Sequence, residues 1–169
     1  VIRFDGTDYT LEFDGLANGV PSGAGIDALS ADHAGRLILS FDVTLMLDGD
    51  VIADEDLTKF DGSGFDQVFD ASANGINGAL DLDAVHFDPV SRRLVVSFDS
   101  NGSVSGTSFS DEDLLIFDPN GNQWNLAFDG SAMDPEWIAA DLDAMFAVLV
   151  NGDVIFYGGF ESLIQRDQD

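Results

Sequence analysis

The chain has no cysteine, which excludes disulfides, thiolate catalysis and cysteine-held metals and leaves the redox compartment open. Cationic residues are nearly as scarce. Six Lys and Arg stand against 32 Asp and Glu, for a formal net charge of −26. A field of that sign repels phosphate, so no nucleic-acid partner is expected and anionic membrane surfaces are poor partners. No apolar run reaches the roughly 18 residues that a helix needs to cross a bilayer. No Ser sits in a Gly-x-Ser-x-Gly elbow, and the Gly-rich stretches are not followed by the Lys of a phosphate cradle. With only two His, at 33 and 86, acid–base catalysis has little to work with, and both read as packed or turn residues.

What the chain does contain is repetition. Asp54-Glu55-Asp56-Leu57-Thr58-Lys59-Phe60-Asp61 returns as Asp111-Glu112-Asp113-Leu114-Leu115-Ile116-Phe117-Asp118, and Asp167-Gln168-Asp169 restates the acidic cluster. Val1-Ile2-Arg3-Phe4-Asp5-Gly6 matches what should follow that cluster, so the two ends read as neighbouring pieces of one repeat. Phe13-Asp14, Phe69-Asp70 and Phe128-Asp129 keep the same step, as do Asp27, Asp83 and Asp143. A period of this length marks a supersecondary unit that buries its apolar face only by stacking on its neighbours. The 169 residues, 45% of them hydrophobic, suit one domain (1–169) with repeats at about 1–56, 57–113 and 114–169. The first residue is Val1 rather than Met, which fits a processed or excised terminus.

Each repeat reads as four short strands, in the third copy Leu114–Phe117, Gln123–Phe128, Asp141–Val148 and Asp153–Tyr157. Asp118-Pro119-Asn120-Gly121 and Asn151-Gly152 are tight-turn sequences, because Gly and Asn tolerate positive φ. The other two links are long and rich in Gly, Ser and Ala. The only helical turn expected is near Met133–Ala140. Alternating short and long links put every tight turn at one end of the strands and every long loop at the other. The long-loop end is the natural binding face.

Nearly all the acid that repeats in register falls at that long-loop end. Asp27, Asp81, Asp83, Asp141 and Asp143 open the third strand, Asp42 and Asp99 close the fourth, and the two Asp-Glu-Asp clusters lead into the next unit. Carboxylates so crowded take up protons or cations unless amide donors compensate them. Ca²⁺, which accepts six to eight oxygens, suits such loops. The candidate cation cluster is Asp81, Asp83, Asp99, Asp111, Glu112 and Asp113, most complete in the second unit because Gly25 replaces the first acid in the first. Two plain alternatives stand beside it: Asx-turn capping, and a hydrated acidic coat suited to high salt. No EF-hand loop fits, since Val104 and Ser110 occupy positions that need Gly and Glu. Trp124 reads as core. Trp137, in a long loop, is the candidate ligand-facing residue, and Arg92-Arg93 reads as a solvated hairpin tip.

The order Asp-Glu-Asp-Leu-x-x-Phe-Asp-Pro, Trp-x-Leu-x-Phe-Asp-Gly-Ser, Asp-Leu-Asp-Ala, Leu-x-x-Ser-Phe resembles a tandem repeat of large secreted or cell-surface bacterial proteins. That resemblance implies a propeller-type β unit without an assigned activity and an extracellular or cell-surface location, or a periplasmic one. The expected fold is therefore all-β: three four-stranded antiparallel repeats, propeller-like, with two chains able to pair into a six-bladed ring. A β-trefoil is the alternative. The expected function is a Ca²⁺-stabilised structural or interaction module that binds protein or glycan through its long-loop face. The alternatives are a Ca²⁺-dependent propeller hydrolase and an acidic accessory subunit of an extracellular or membrane assembly. Head-to-tail joining gives a homo-oligomer, either a ring or a filament.

Overall fold

Leu37-Ile38-Leu39 and Leu94-Val95-Val96 are apolar at consecutive positions, the pattern of a strand buried on both faces. Both become middle strands of four-stranded sheets. The computed structural model describes residues 1–150 and 153–156. A first hairpin joins β1 (Ile2–Phe4) to β2 (Tyr9–Leu11). Then come β3 (Ile26–Ala31), β4 (Leu37–Phe41), β5 (Leu45–Leu47), β6 (Asp50–Ile52), β7 (Leu57–Phe60) and β8 (Phe65–Phe69). The same series returns as β9 (Leu82–Phe87), β10 (Leu94–Phe98), β11 (Gly102–Val104), β12 (Thr107–Phe109), β13 (Leu114–Asp118) and β14 (Gln123–Phe128). A last hairpin pairs β15 (Ala147–Val150) with β16 (Asp153–Phe156).

The two large sheets have the strand orders β3-β4-β7-β8 and β9-β10-β13-β14, antiparallel throughout. Each draws two strands from one sequence repeat and two from the next. The joining pairs are β4 with β7 and β10 with β13. The all-β expectation holds. Instead of three complete four-stranded units, however, the described residues form two complete sheets and two half-sheets, β1–β2 and β15–β16. No closed barrel or propeller is present among them. The expected strand over 141–148 begins only at Ala147. Ahead of it, Leu142 is held by the preceding unit, its N–H donating to Asp111 O and its carbonyl accepting from Ser97 Oγ. The Asn151-Gly152 turn, Tyr157-Gly158 and Asp167-Gln168-Asp169 lie outside the described residues.

The link between the second and third strands of each sheet, expected as loop, contains a small hairpin, β5–β6 or β11–β12. Asp48-Gly49 and Ser105-Gly106 both take positive φ, as a two-residue type I′ turn requires. These hairpins supply Leu45, Leu47 and Ile52 to one core, and Val104 and Phe109 to the next. A main core joins the two large sheets around Leu57, Leu82, Val96 and Phe98. A second lies between the N-terminal segment and the first sheet, and a third between the second sheet and the segment before β15. One-turn 3₁₀ segments at Leu16–Asn18 and Ser72–Asn74 end on Gly19 and Gly75 in the left-handed region. The helical turn expected near 133–140 is present as a short α-helix, Gly130–Met133, followed by a 3₁₀ turn, Pro135–Ala139.

A cross-strand aromatic pair recurs three times: Phe4–Tyr9 at 4.7 Å, Phe60–Phe65 at 5.1 Å and Phe117–Trp124 at 4.8 Å between ring centroids. Phe13 of the preceding unit packs on the second pair, and Phe69 on the third. Trp124 is buried as expected, with Nε1 donating to Asn74 O at 2.9 Å.

Candidate functional site

The rim at the long-loop end collects the repeated acids across the junctions between units. Asp27 on β3 lies within electrostatic reach of Asp42, Asp54 and Asp99, and Asp81 within reach of Asp27, Asp54 and Asp99. Asp83 on β9 feels Asp141 and Asp99, and Asp141 feels Asp111 and Asp143. Burial and then this mutual repulsion raise Asp27 and Asp141 above the ordinary carboxylate range. Burial and the same neighbours push Asp81 up to about 7. Asp83 also reaches about 7, chiefly through burial, although its bond from Ser97 opposes the shift. Glu55 is raised by burial, with Asp56 and Asp54 adding to it.

The hydrogen bonds around Asp83 agree with that need for positive charge. Ser97 Oγ lies 2.7 Å from Asp83 Oδ1 and 2.5 Å from Leu142 O, and one hydroxyl proton cannot serve both acceptors. The Asp141 carboxyl adds repulsion to the buried Asp83, which raises its affinity for a proton further. Asp81 Oδ1 and Asp27 Oδ2 are buried without a hydrogen-bond partner. Glu112 is 1% exposed, and neither of its carboxyl oxygens has a partner.

Other members of the candidate cluster are already engaged by backbone amides. Asp113 accepts from Ser110 N–H at 2.8 Å and Gly130 N–H at 3.0 Å. Its counterpart Asp56 accepts from Ala53 and Ala71 N–H and from Gln67 Nε2. The third acid of each Asp-Glu-Asp cluster thus pins the start of one strand to the loop after the next. Asp99 accepts from Asp81 N–H and Ser100 Oγ, and Asp42 accepts from Gly25 N–H in the equivalent place. A Cβ on Gly25 would meet Asp42 Oδ2 at 2.9 Å, so this tight pairing leaves a side chain there little room. Asp111 N–H donates to Asn101 Oδ1. Among the described residues no three acids or histidines are grouped closely enough to form a ready-made metal site.

Trp137 is half-buried, its ring 5.5 Å from that of Phe128, with the exposed Met133 and Ile138 nearby in the chain. His86 pairs with Val95 across β9 and β10 and meets the Phe146 ring edge-on, with its pKa lowered by burial. It is a packed residue, not a poised base. Arg92 occupies the exposed tip of its turn at φ 62°, whereas Arg93 is ion-paired with Asp118 at 2.7 Å, so only the first of the pair is a solvated tip.

A feature that sequence reasoning missed is a cavity of about 570 Å³ at the tight-turn end, between the two large sheets. Phe69, Phe87 and Phe117 line it together with Arg36, Lys59 and Arg92, three of the chain's six cationic residues. Those cations lie far apart in sequence and meet only because the sheets pack together. Among the described residues no helix is long and apolar enough to cross a membrane. The chain matches no protein-family model and no curated protein.

Proposed function

We propose that the protein is a secreted, Ca²⁺-stabilised structural and interaction module that binds protein or glycan through its long-loop face. Its stacked sheets would act as blades of a propeller-like array. The observation that carries this reading is the row of rim carboxyls, Asp27, Asp81, Asp83 and Asp141, all raised in pKa and lacking donors enough to balance them. Protons compensate such a row in acid, and a hard divalent cation does so at neutral pH. Asp81, Asp83 and Asp99 would supply the first oxygens, after side-chain rotation, with Asp111 and Glu112 at the next junction. Asp113, already holding two amides, would support the loop instead. A carboxylate as buried as Glu112, with no donor in reach, is where a bound cation would contribute most. Secretion rests on the resemblance of the repeat motif, and the exposed residues beside Trp137 supply apolar surface for a ligand.

The test is thermal melting at pH 8 with 5 mM CaCl₂ or with EDTA. A cation bound only by the folded form raises Tm by on the order of 5 °C. The increment should vanish in Asp83→Asn and persist in Asp14→Asn, at a repeated acid outside the raised group. A melt indifferent to Ca²⁺ and chelator would remove the metal from this account.

A further inference from the structure

We propose that the cavity between the two large sheets is a binding site for a small aromatic monocarboxylate, its ring held among phenylalanines and its carboxylate on Arg92. None of the raised rim acids lines this cavity, and the inference does not depend on Ca²⁺.

The cavity follows from the way the sheets are tied. β3 and β8 are the edge strands of the first large sheet, and β9 and β14 those of the second. On one side the N–H of Phe87 on β9 donates to Ser30 Oγ on β3 at 3.0 Å. On the other, Trp124 Nε1 on β14 donates to the carbonyl of Asn74, in the turn that follows β8, at 2.9 Å. Phe87 and Asn74 both line the cavity, so its volume of about 570 Å³ extends from one tie to the other. A space of that size, held open by fixed contacts, falls in the range of pre-formed small-molecule sites. Its apolar part comes from the buried Phe69 and Phe117, whose ring centroids lie 5.3 Å apart, and from the half-buried Phe87. An aromatic ring packs on such faces and edges.

The charge of the lining selects the sign of the ligand and its size. Arg36, Lys59 and Arg92 line the cavity against two acids, Asp32 and Asp70, which leaves one net positive charge. The whole chain carries −26, so a local excess of cation is contrary to its composition. Arg36 is committed to Asp32 at 2.6 Å, and Lys59 Nζ lies 3.3 Å from Asp66 Oδ2. Arg92 has no ion pair or side-chain hydrogen bond among the described residues. It also holds φ 62°, a conformation that suits glycine or asparagine better, so the turn itself gives no reason for an arginine there. A guanidinium grips a carboxylate through two parallel N–H bonds. One negative charge matches the lining. The second charge of a phosphate ester would meet the field of the surrounding acids instead.

The experiment titrates the ¹⁵N-labelled full chain with 2-naphthoate at about pH 7 and about 0.15 M NaCl, reading backbone amide shifts. Neutral 2-naphthamide and dianionic 2-naphthyl phosphate are titrated beside it. The expected result is saturable movement of the Phe87 and Arg92 amides by naphthoate, with a Kd below about 1 mM. The amide and the phosphate should each bind at least about fivefold more weakly, a difference of about 1 kcal/mol. Arg92→Gln, at an exposed turn tip, should weaken naphthoate by about fivefold or more. Arg3→Gln makes the same change of net charge outside the cavity and should leave the affinity unaltered. Four results would overturn the proposal. Unmoved Phe87 and Arg92 amides at about 5 mM naphthoate would show that the cavity takes no ring. Equal affinity for naphthoate and naphthamide would show that no carboxylate is read. Tighter binding of the phosphate would refute the match to a single charge. A loss in Arg92→Gln no greater than in Arg3→Gln would show that the anion is not held by Arg92.

Discussion

The two ends of the sheets treat aspartate in opposite ways. At the tight-turn end Asp5, Asp32, Asp61, Asp88 and Asp118 accept bonds from their own turns, and their affinity for protons falls. The side-chain bond from Arg36 and the turn amides bring Asp32 down to about 2. Asp5 is lowered by the amides of Asp8 and Thr7, Asp61 by the Ser63 hydroxyl and neighbouring amides, and Asp118 by Arg93 and Asn120. Burial works against Asp88, yet the hydroxyl and amide of Ser91 still leave it lowered. At the long-loop end the raised acids face one another across unit junctions instead of facing amides, and their affinity for protons climbs. Identical residues diverge because a local turn brings its own donors, whereas a junction buries the carboxyl and then sets another beside it.

The sharpest way to break this comparison is to remove a long-loop acid that does have donors. Asp113→Ala strands the buried amides of Ser110 and Gly130 and should cost about 3 kcal/mol, seen as a lower urea midpoint at unchanged slope. Asp56→Ala should behave alike. A loss well below 1 kcal/mol would mean that these pins are ornamental.

The second test is pH. Asp81 and Asp83 keep their protons up to about pH 7 in the fold, against 3.8 for a free side chain. The folded form therefore binds more protons between those limits, and stability rises as pH falls from about 8 to 4. Below about 4 the lowered tight-turn acids reverse the trend, because they must be protonated against their bonds. Tm should be highest near pH 4–5, by on the order of 5 °C over pH 8 without added cation. A flat profile would contradict the raised rim. A third measurement sharpens the second: Asp81→Asn with Asp83→Asn should raise Tm at pH 8, leave it nearly unchanged at pH 5, and abolish most of the acid gain. The smallest effect belongs to the exposed turn acids. Asp61→Asn should move Tm by only about 1 °C at pH 7, and more than that would show the turns to be less self-sufficient than their bonds imply.

Much of this was legible in the sequence, for identifiable reasons. The repeat step set which acids share an end, and the raised carboxyls indeed lie together there. The core position of Trp124 followed from strand alternation. The inserted hairpins were missed although Asp48-Gly49 is a hairpin dipeptide, because three-residue flanks show no period. The pinning role of Asp56 and Asp113 was illegible: their partner amides at Ala71 and Gly130 lie 15 and 17 residues away and arrive only through the sheet. The cavity of cations and phenylalanines was hidden for the same reason.

By itself the sequence determined an all-β chain of repeated units with its repeated acid gathered at one end, since strand periodicity and turn chemistry act over a few residues. Only the tertiary structure decided that sheets straddle the repeat boundaries, and which aspartates meet amides and which meet each other. Those outcomes depend on pairing between strands of successive repeats, where a shift of one residue changes every partner.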